Sequence, residues 1–257
     1  MKSIPLTDHE WLDVLMRARD VLSSLRLPTR IPTPEAIVSL AVAMADRGLV
    51  EPTMEMRMRY IDSQSINTDQ PDYVARLLPH LPSDTPDRVL FGIRSSNPEA
   101  GVVNDLLGLL IREGPQSDLI IGFGSTDPTS SGTAIMKTGY YPDLWRLGKH
   151  RERYTAGVQQ GTTPVNLWRD RNHDEVLEPG GEEDSGWKGI NFHYAGFNPY
   201  ASNAKTYPFG YKLGSKSTLG CQVMADPHLY RKIMDDLERS GQVELPYLLL
   251  DEKSVFS

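Results

Sequence analysis

The sequence predicts an α+β protein, with a mostly helical N-terminal region followed by a β-rich domain. Three observations predict it. Apolar residues recur at helical spacing from Trp11 to Leu25, behind Thr7 as N-cap with Glu10 three residues on. From about Leu119 the pattern changes to short runs separated by turn residues, as in a compact β domain. Between the two, Pro71, Pro79, Pro82, Pro86 and Pro98 interrupt regular structure. The boundary is placed so that residues 1–115 form the helical region and 116–257 the β-rich domain.

Each element has its own reason. The Trp11–Leu25 pattern gives the first helix. A second starts after Thr33, with Pro34 at its first position, and runs to Gly48. Asn97-Pro98-Glu99 opens a further helix over Val102–Arg112, closed by Gly114. Leu119–Phe123 is a strand, followed by a loop of Gly, Ser, Thr and Pro. Strands are then expected at Thr133–Lys137, Arg153–Gln159, Pro164–Arg169, Gly189–Tyr194 and Thr218–Met224. An amphipathic helix covers Pro227–Arg239 and ends near Gly241. Tyr247–Leu250 is the last strand, with Pro246 before it, where a missing N–H is tolerated.

Composition narrows the function classes. Of 257 residues, 39% are hydrophobic and 24% charged, which is ordinary globular usage. The net charge of −7 argues against a nucleic-acid partner, which would select a basic surface. Ile37–Met44 is the longest apolar run and is interrupted by Ser39, so no membrane span is expected. Met1-Lys2-Ser3-Ile4-Pro5 opens without an apolar signal core, so no secretory signal is visible. One cysteine excludes an internal disulfide.

Charge is unevenly spread. Asp174, Glu175, Glu178, Glu182, Glu183 and Asp184 crowd one stretch. Ser185–Gly220 then carries no acid, but Lys188, Lys205, Lys212 and Lys216 and eight aromatics, Trp187 and Tyr211 among them. Such a neighbourhood suits an anionic ligand and favours a thiolate at Cys221, which follows at once. A surface loop without a site has the same composition.

Cys221 is preceded by Gly220, whose backbone permits close approach and lets neighbouring amides converge. His193, at the end of the Gly189–Tyr194 strand, can face the cysteine across a sheet and take its proton. Asn191 lies on the same strand. His150, in the basic cluster Gly148-Lys149-His150-Arg151, is a substrate-contact candidate. His9 and His80 fall in the helical part, His173 in an acidic turn, and His228 at a helix start. A base before the nucleophile distinguishes this order from papain-like enzymes.

With His193, Thr218, Gly220 and Cys221 in this order, residues of about 119–250 resemble the L,D-transpeptidase (YkuD-like) family. That family carries a strand-end His, a variable loop, and Ser/Thr-His-Gly-Cys. Here Leu219 stands in place of the motif His, and Val223 in place of an Arg often found two residues after the Cys. The resemblance implies a cysteine enzyme acting on peptidoglycan stem peptides at an amide between an L-centre and a D-amino acid. It implies Cys221 as nucleophile, His193 as base, the Tyr194 main-chain carbonyl as its orienter and amides around Gly220 as oxyanion donors. Lys216, Thr218, Tyr211, Lys212, His150, Trp187 and Asn191 would contact substrate. Action at the wall or in the periplasm would follow, through phage lysis or a delivery machine, with an immunity partner in the latter case. Hydrolysis is expected to outweigh transpeptidation.

No cofactor and no metal is expected. Asp170, Asn172 and Asp174 alternate like the start of a Ca²⁺ loop, but Glu175 and Gly181 depart from it, so a solvated turn is the reading. Two alternatives stand beside the enzyme: a cysteine hydrolase of another amide or ester, and a peptide- or saccharide-binding protein with Cys221 structural.

Overall fold

The computed structural model describes residues 71–95, 100–113, 116–127, 134–169, 182–208, 210–214 and 219–256. The chain divides into two units, Met1–Ile66 and Asn67–Ser257, and the described residues belong to the second. The helices expected over Trp11–Leu25 and Pro34–Gly48 lie outside the described residues, as do Asp170, Asn172 and Asp174.

Eight strands close into a barrel. In order around it they are β1 (Arg88–Arg94), β11 (Leu245–Asp251), β5 (Gly139–His150), β6 (Tyr154–Val158), β9 (Phe192–Tyr194), β10 (Gln222–Met224), β3 (Gln116–Ser125) and β2 (Asp105–Glu113), which returns to β1. The pairs β1–β11 and β9–β10 are parallel and the others antiparallel. A second sheet has β4 (Ala134–Met136), β7 (Val165–Arg169) and β8 (Glu182–Gly186), with β7 in the middle.

The helix expected over Val102–Arg112 is overturned: Asp105–Glu113 is strand β2, with Leu106–Leu110 all buried. A strand buried on both faces shows no alternation, and its apolar run reads like a buried helix. β1, with Val89–Ile93 buried, hides for the same reason. Gly92 belongs to this packing, since a Cβ there would lie 2.2 Å from the Tyr247 hydroxyl oxygen. Both strands precede the expected boundary at 115, which therefore falls inside the second unit, between β2 and β3.

β5 contains Pro142, and β11 contains Pro246. Between the pairs Tyr141↔Tyr247 and Trp145↔Leu245 the register shifts, so both prolines sit where the ladder is interrupted. A residue without an N–H is tolerated at such an irregularity. Just past it, Trp145 is fully buried and packs on Tyr247 (4.7 Å between ring centroids) and Phe192 (5.9 Å). Its Nε1 donates to the Ile190 carbonyl at 2.7 Å, which satisfies the indole N–H in the core.

Helix α1 (Pro71–Leu77) precedes the barrel. Helix α2 (Pro227–Ser240) buries Tyr230, Ile233, Met234 and Leu237. The Asp226 side chain caps α2 by accepting from the His228 and Leu229 amides at 2.7 and 3.0 Å, and Gly241 ends it at φ 65°. Each buried side chain of α2 contributes roughly 1.5–3 kcal/mol. Helix α3 (Glu252–Phe256) ties back to α1, where Arg76 donates to the Val255 carbonyl at 2.7 Å.

Candidate functional site

The parallel β9–β10 pair sets the site. Gln222 is in register with Phe192 and Val223 with His193, and the Gln222 N–H donates to the Asn191 carbonyl at 2.8 Å. Cys221 therefore lies beside Asn191, two residues before His193 on the neighbouring strand. Its sulfur accepts the Asn191 N–H at 3.3 Å and donates to the Gly189 carbonyl at 3.6 Å. The donor suits a thiolate and the carbonyl a thiol, so the two contacts pull in opposite directions. The residue before it, Gly220, has φ 131°, and a Cβ there would lie 2.6 Å from the Ala134 carbonyl oxygen. A side chain fits neither the backbone nor the space.

His193 is buried, and its Nδ1 lies 2.8 Å from the Tyr194 carbonyl. A carbonyl only accepts, so Nδ1 carries the hydrogen and Nε2 of the neutral ring is a proton acceptor. The same carbonyl accepts the Tyr154 hydroxyl at 3.3 Å. His150 stacks on His193, and its Nδ1 is 3.5 Å from the Asn191 side-chain nitrogen. Burial, then the charge of His150, lowers the His193 pKa to about 3. Burial, then Arg151 and Arg153, lowers that of His150 to about 4. Both rings are neutral at neutral pH.

Gln159 holds the segment under Cys221. Its Oε1 accepts the Lys188 and Ile190 amides, its Nε2 donates to the Gly186 carbonyl, and its own N–H donates to Asn191 Oδ1 at 2.9 Å. A cavity of about 490 Å³ opens beside the two histidines, walled by Arg151, Arg153, Tyr154, Phe197 and Tyr207 among others. Cys221 is not part of this wall and is half-buried.

Below Gly220 and Cys221 lies a buried polar cluster. Arg94 donates to the Met136 carbonyl and pairs with Asp127 at 3.1 Å. Asp105 accepts the Ser95 and Thr126 amides at 2.7 and 2.5 Å. Gln222 accepts the Tyr247 hydroxyl at 2.6 Å and donates to the Gly220 carbonyl at 3.3 Å. Burial, with the Asp105 charge second, pushes the Asp127 carboxyl well above the ordinary range, and its Oδ2 has no hydrogen-bond partner.

Cys221, Asn191, His150 and His193 are thus linked in a chain of neighbours, with Gly220 before the cysteine and the Tyr194 carbonyl on His193. Trp187 does not join them: its indole donates to the Gly161 carbonyl and the ring is 62% exposed. Tyr211 reaches the cavity only through Tyr207, with ring centroids 5.1 Å apart. Lys212 forms a bridge with Val102. Lys216 and Thr218 lie outside the described residues. Lys188, counted among the cations of the acid-free stretch, is paired with Asp184 at 3.0 Å. The cations that line the cavity are Arg151 and Arg153 instead. Sequence reading missed Tyr154, Gln159 and Arg153. Of these only Arg153 had a signal, its place at the end of the basic cluster around His150.

In the segment from Ala195 to Leu213 the described residues form no regular element beyond that bridge and are pinned by main-chain bonds. Val103 donates to Tyr211, Gly210 to Val103, Leu213 to Gly101 and Tyr207 to Ala225, all at 2.9–3.1 Å. Ala195, Gly196, Phe197 and Tyr207 from it wall the cavity.

No described helix is long and apolar enough to cross a membrane, and the described residues contain no His/Cys/Asp/Glu group able to hold a metal ion. No family model, no curated protein and no solved structure matches this chain.

Proposed function

We propose that this protein is a cysteine acyl-transfer enzyme acting on peptidoglycan stem peptides at the amide between an L-centre and a D-amino acid. One observation carries the chemistry: His193, its Nδ1 held by the Tyr194 carbonyl, stands on the strand paired in parallel with that of Cys221. The substrate class rests on the resemblance of His193, Thr218, Gly220 and Cys221 to the L,D-transpeptidase pattern.

Cys221 loses its proton to His193 Nε2, and the thiolate attacks the scissile carbonyl. Amides around Gly220 hold the oxyanion. The tetrahedral intermediate collapses to a thioester, and the His193 proton leaves with the amine. Burial disfavours the imidazolium, which opposes the first transfer and speeds the return. Water then attacks the thioester, His193 takes its proton, and the acid is released with the thiol restored. Hydrolysis outweighs transfer to a second stem, since Leu219 and Val223 replace the His and Arg of the cross-linking members of that pattern.

A second reading has its own observation: the Cys221 sulfur is held by the Asn191 N–H, and the cavity wall excludes it. In that reading the protein binds a peptide and Cys221 is structural. Mass spectrometry of muropeptides incubated with the protein, with and without a D-amino acid acceptor, separates the two. Cleaved stems that vanish in Cys221→Ala are expected. Unchanged stems favour the binding protein, and exchanged or dimeric stems as the main product make it a transpeptidase.

A further inference from the structure

The β5–β6 hairpin turns through Arg151 and Glu152, and the Arg153 N–H donates back to the His150 carbonyl at 3.0 Å. Both turn residues have left-handed backbones, φ 48° and 57°. Such turns favour Asn-Gly, and a non-glycine residue costs roughly 1–3 kcal/mol in that region. The tip thus keeps a strained Arg-Glu pair where stability alone would select Asn-Gly. Its two flanking cations, Arg151 and Arg153, line the 490 Å³ cavity, whereas Glu152 does not.

In a chain of net charge −7, no acid lines the cavity among the described residues. Both histidines on it are neutral at neutral pH, so among the described residues the two guanidiniums are its positive charges. Neither forms an ion pair with a carboxylate among the described residues. The Arg153 guanidinium is laid over the Phe197 ring at 3.8 Å. Phe197 is 72% exposed, and this stacking gives it a role that burial does not. A guanidinium held in one place, with its donors open, is suited to bidentate recognition of a carboxylate.

We propose that this cavity is a carboxylate subsite, in which Arg151 and Arg153 hold the free C-terminal carboxylate of the peptide beside His193. The inference rests on the reading of Cys221 and His193 as the reactive pair, and it adds what the substrate must carry: a free acid close to the scissile bond. Phe197 fixes Arg153, and the turn presents Arg151 next to it.

The test uses the full chain and N-acetyl-L-Lys-D-Ala, as the free acid and as its C-terminal amide. Binding is measured by calorimetry on Cys221→Ala, with Cys221→Ser as a second unreactive variant. The free acid is expected to bind at least about tenfold more tightly than the amide. Arg153→Gln and Arg151→Gln should each abolish that preference, and Arg151→Lys should restore part of it. In the active protein Arg153→Gln should raise KM for the acid with kcat little changed. Equal binding of acid and amide overturns the subsite, as does inorganic phosphate binding more tightly than the peptide acid. Acid preference without turnover by the unmutated protein overturns the enzyme reading and leaves the subsite standing. Equal turnover of acid and amide does the reverse.

Discussion

The imidazole rings of His150 and His193 lie face to face, with centroids 4.1 Å apart and planes 19° from parallel. Burial and the neighbouring His150 keep His193 neutral, whereas burial, Arg151 and Arg153 keep His150 neutral. His193 then offers Nε2 as a base, and His150 is left as the neutral wall of the cavity.

This pair sets an acid limit on stability. Folded pKa values of about 3 and about 4 lie below the unfolded value near 6.5. Between these limits the unfolded chain binds the protons and the folded one does not, so stability is full above about pH 6.5 and is lost as pH falls. His193, fully buried, contributes up to about 1.4 kcal/mol per pH unit in that window, and the partly screened His150 less. Urea midpoints at pH 7, 5.5 and 4.5 should fall steeply, and less steeply in His150→Gln. An identical slope in the variant would contradict the stacked neutral pair.

Asp127 works in the opposite direction. Its carboxyl is raised by burial and by Asp105, so the folded state keeps a proton that the unfolded state releases near pH 4. Its stabilising contribution is complete below that pH and is lost as pH rises. Asp127→Asn should therefore be more stable than the unmutated protein at pH 8, with the difference shrinking toward pH 4. Thermal melts across that range check it, and a variant less stable at every pH would refute the protonated state.

Gly220→Ala tests the turn before Cys221. Its φ of 131° and the Ala134 oxygen 2.6 Å from a Cβ predict a loss of about 1–3 kcal/mol. The backbone must also shift, carrying Cys221 away from Asn191. Slower alkylation of Cys221 by iodoacetamide and lost turnover are expected together. Unchanged alkylation would mean that Gly220 shapes only the fold.

The strands legible in the sequence are those flanked by turn residues: Tyr154–Val158, Val165–Arg169 and Phe192–Tyr194 all fall inside their expected runs. Helix α2 is legible too, from its apolar spacing and from Gly241. β1 and β2 are not, because the barrel buries them on both faces and removes the alternation. β5 is hidden by Gly139, Pro142 and Gly148, which read as breakers until the interrupted ladder opposite Pro246 accommodates the proline. At the site, His193, Gly220 and Cys221 stand out by type and order. Tyr154, Gln159 and Asp127 do not, because their partners come from strands remote in sequence, and no local pattern marks a residue whose role is to hold another.

The barrel seam joins β1 to β11, the first and last strands of the barrel in chain order. During synthesis on the ribosome, Val89–Ile93 must wait with one edge unpaired until Tyr247–Leu250 emerge. That exposed edge is a place for off-pathway pairing, and the long loop it must close slows the search. The Trp145 indole, which packs against Tyr247, cannot reach its final environment before then. The nascent chain therefore closes its barrel late and all at once, and a ribosome stalled before Leu245 would display an open, association-prone sheet rather than a partly closed barrel.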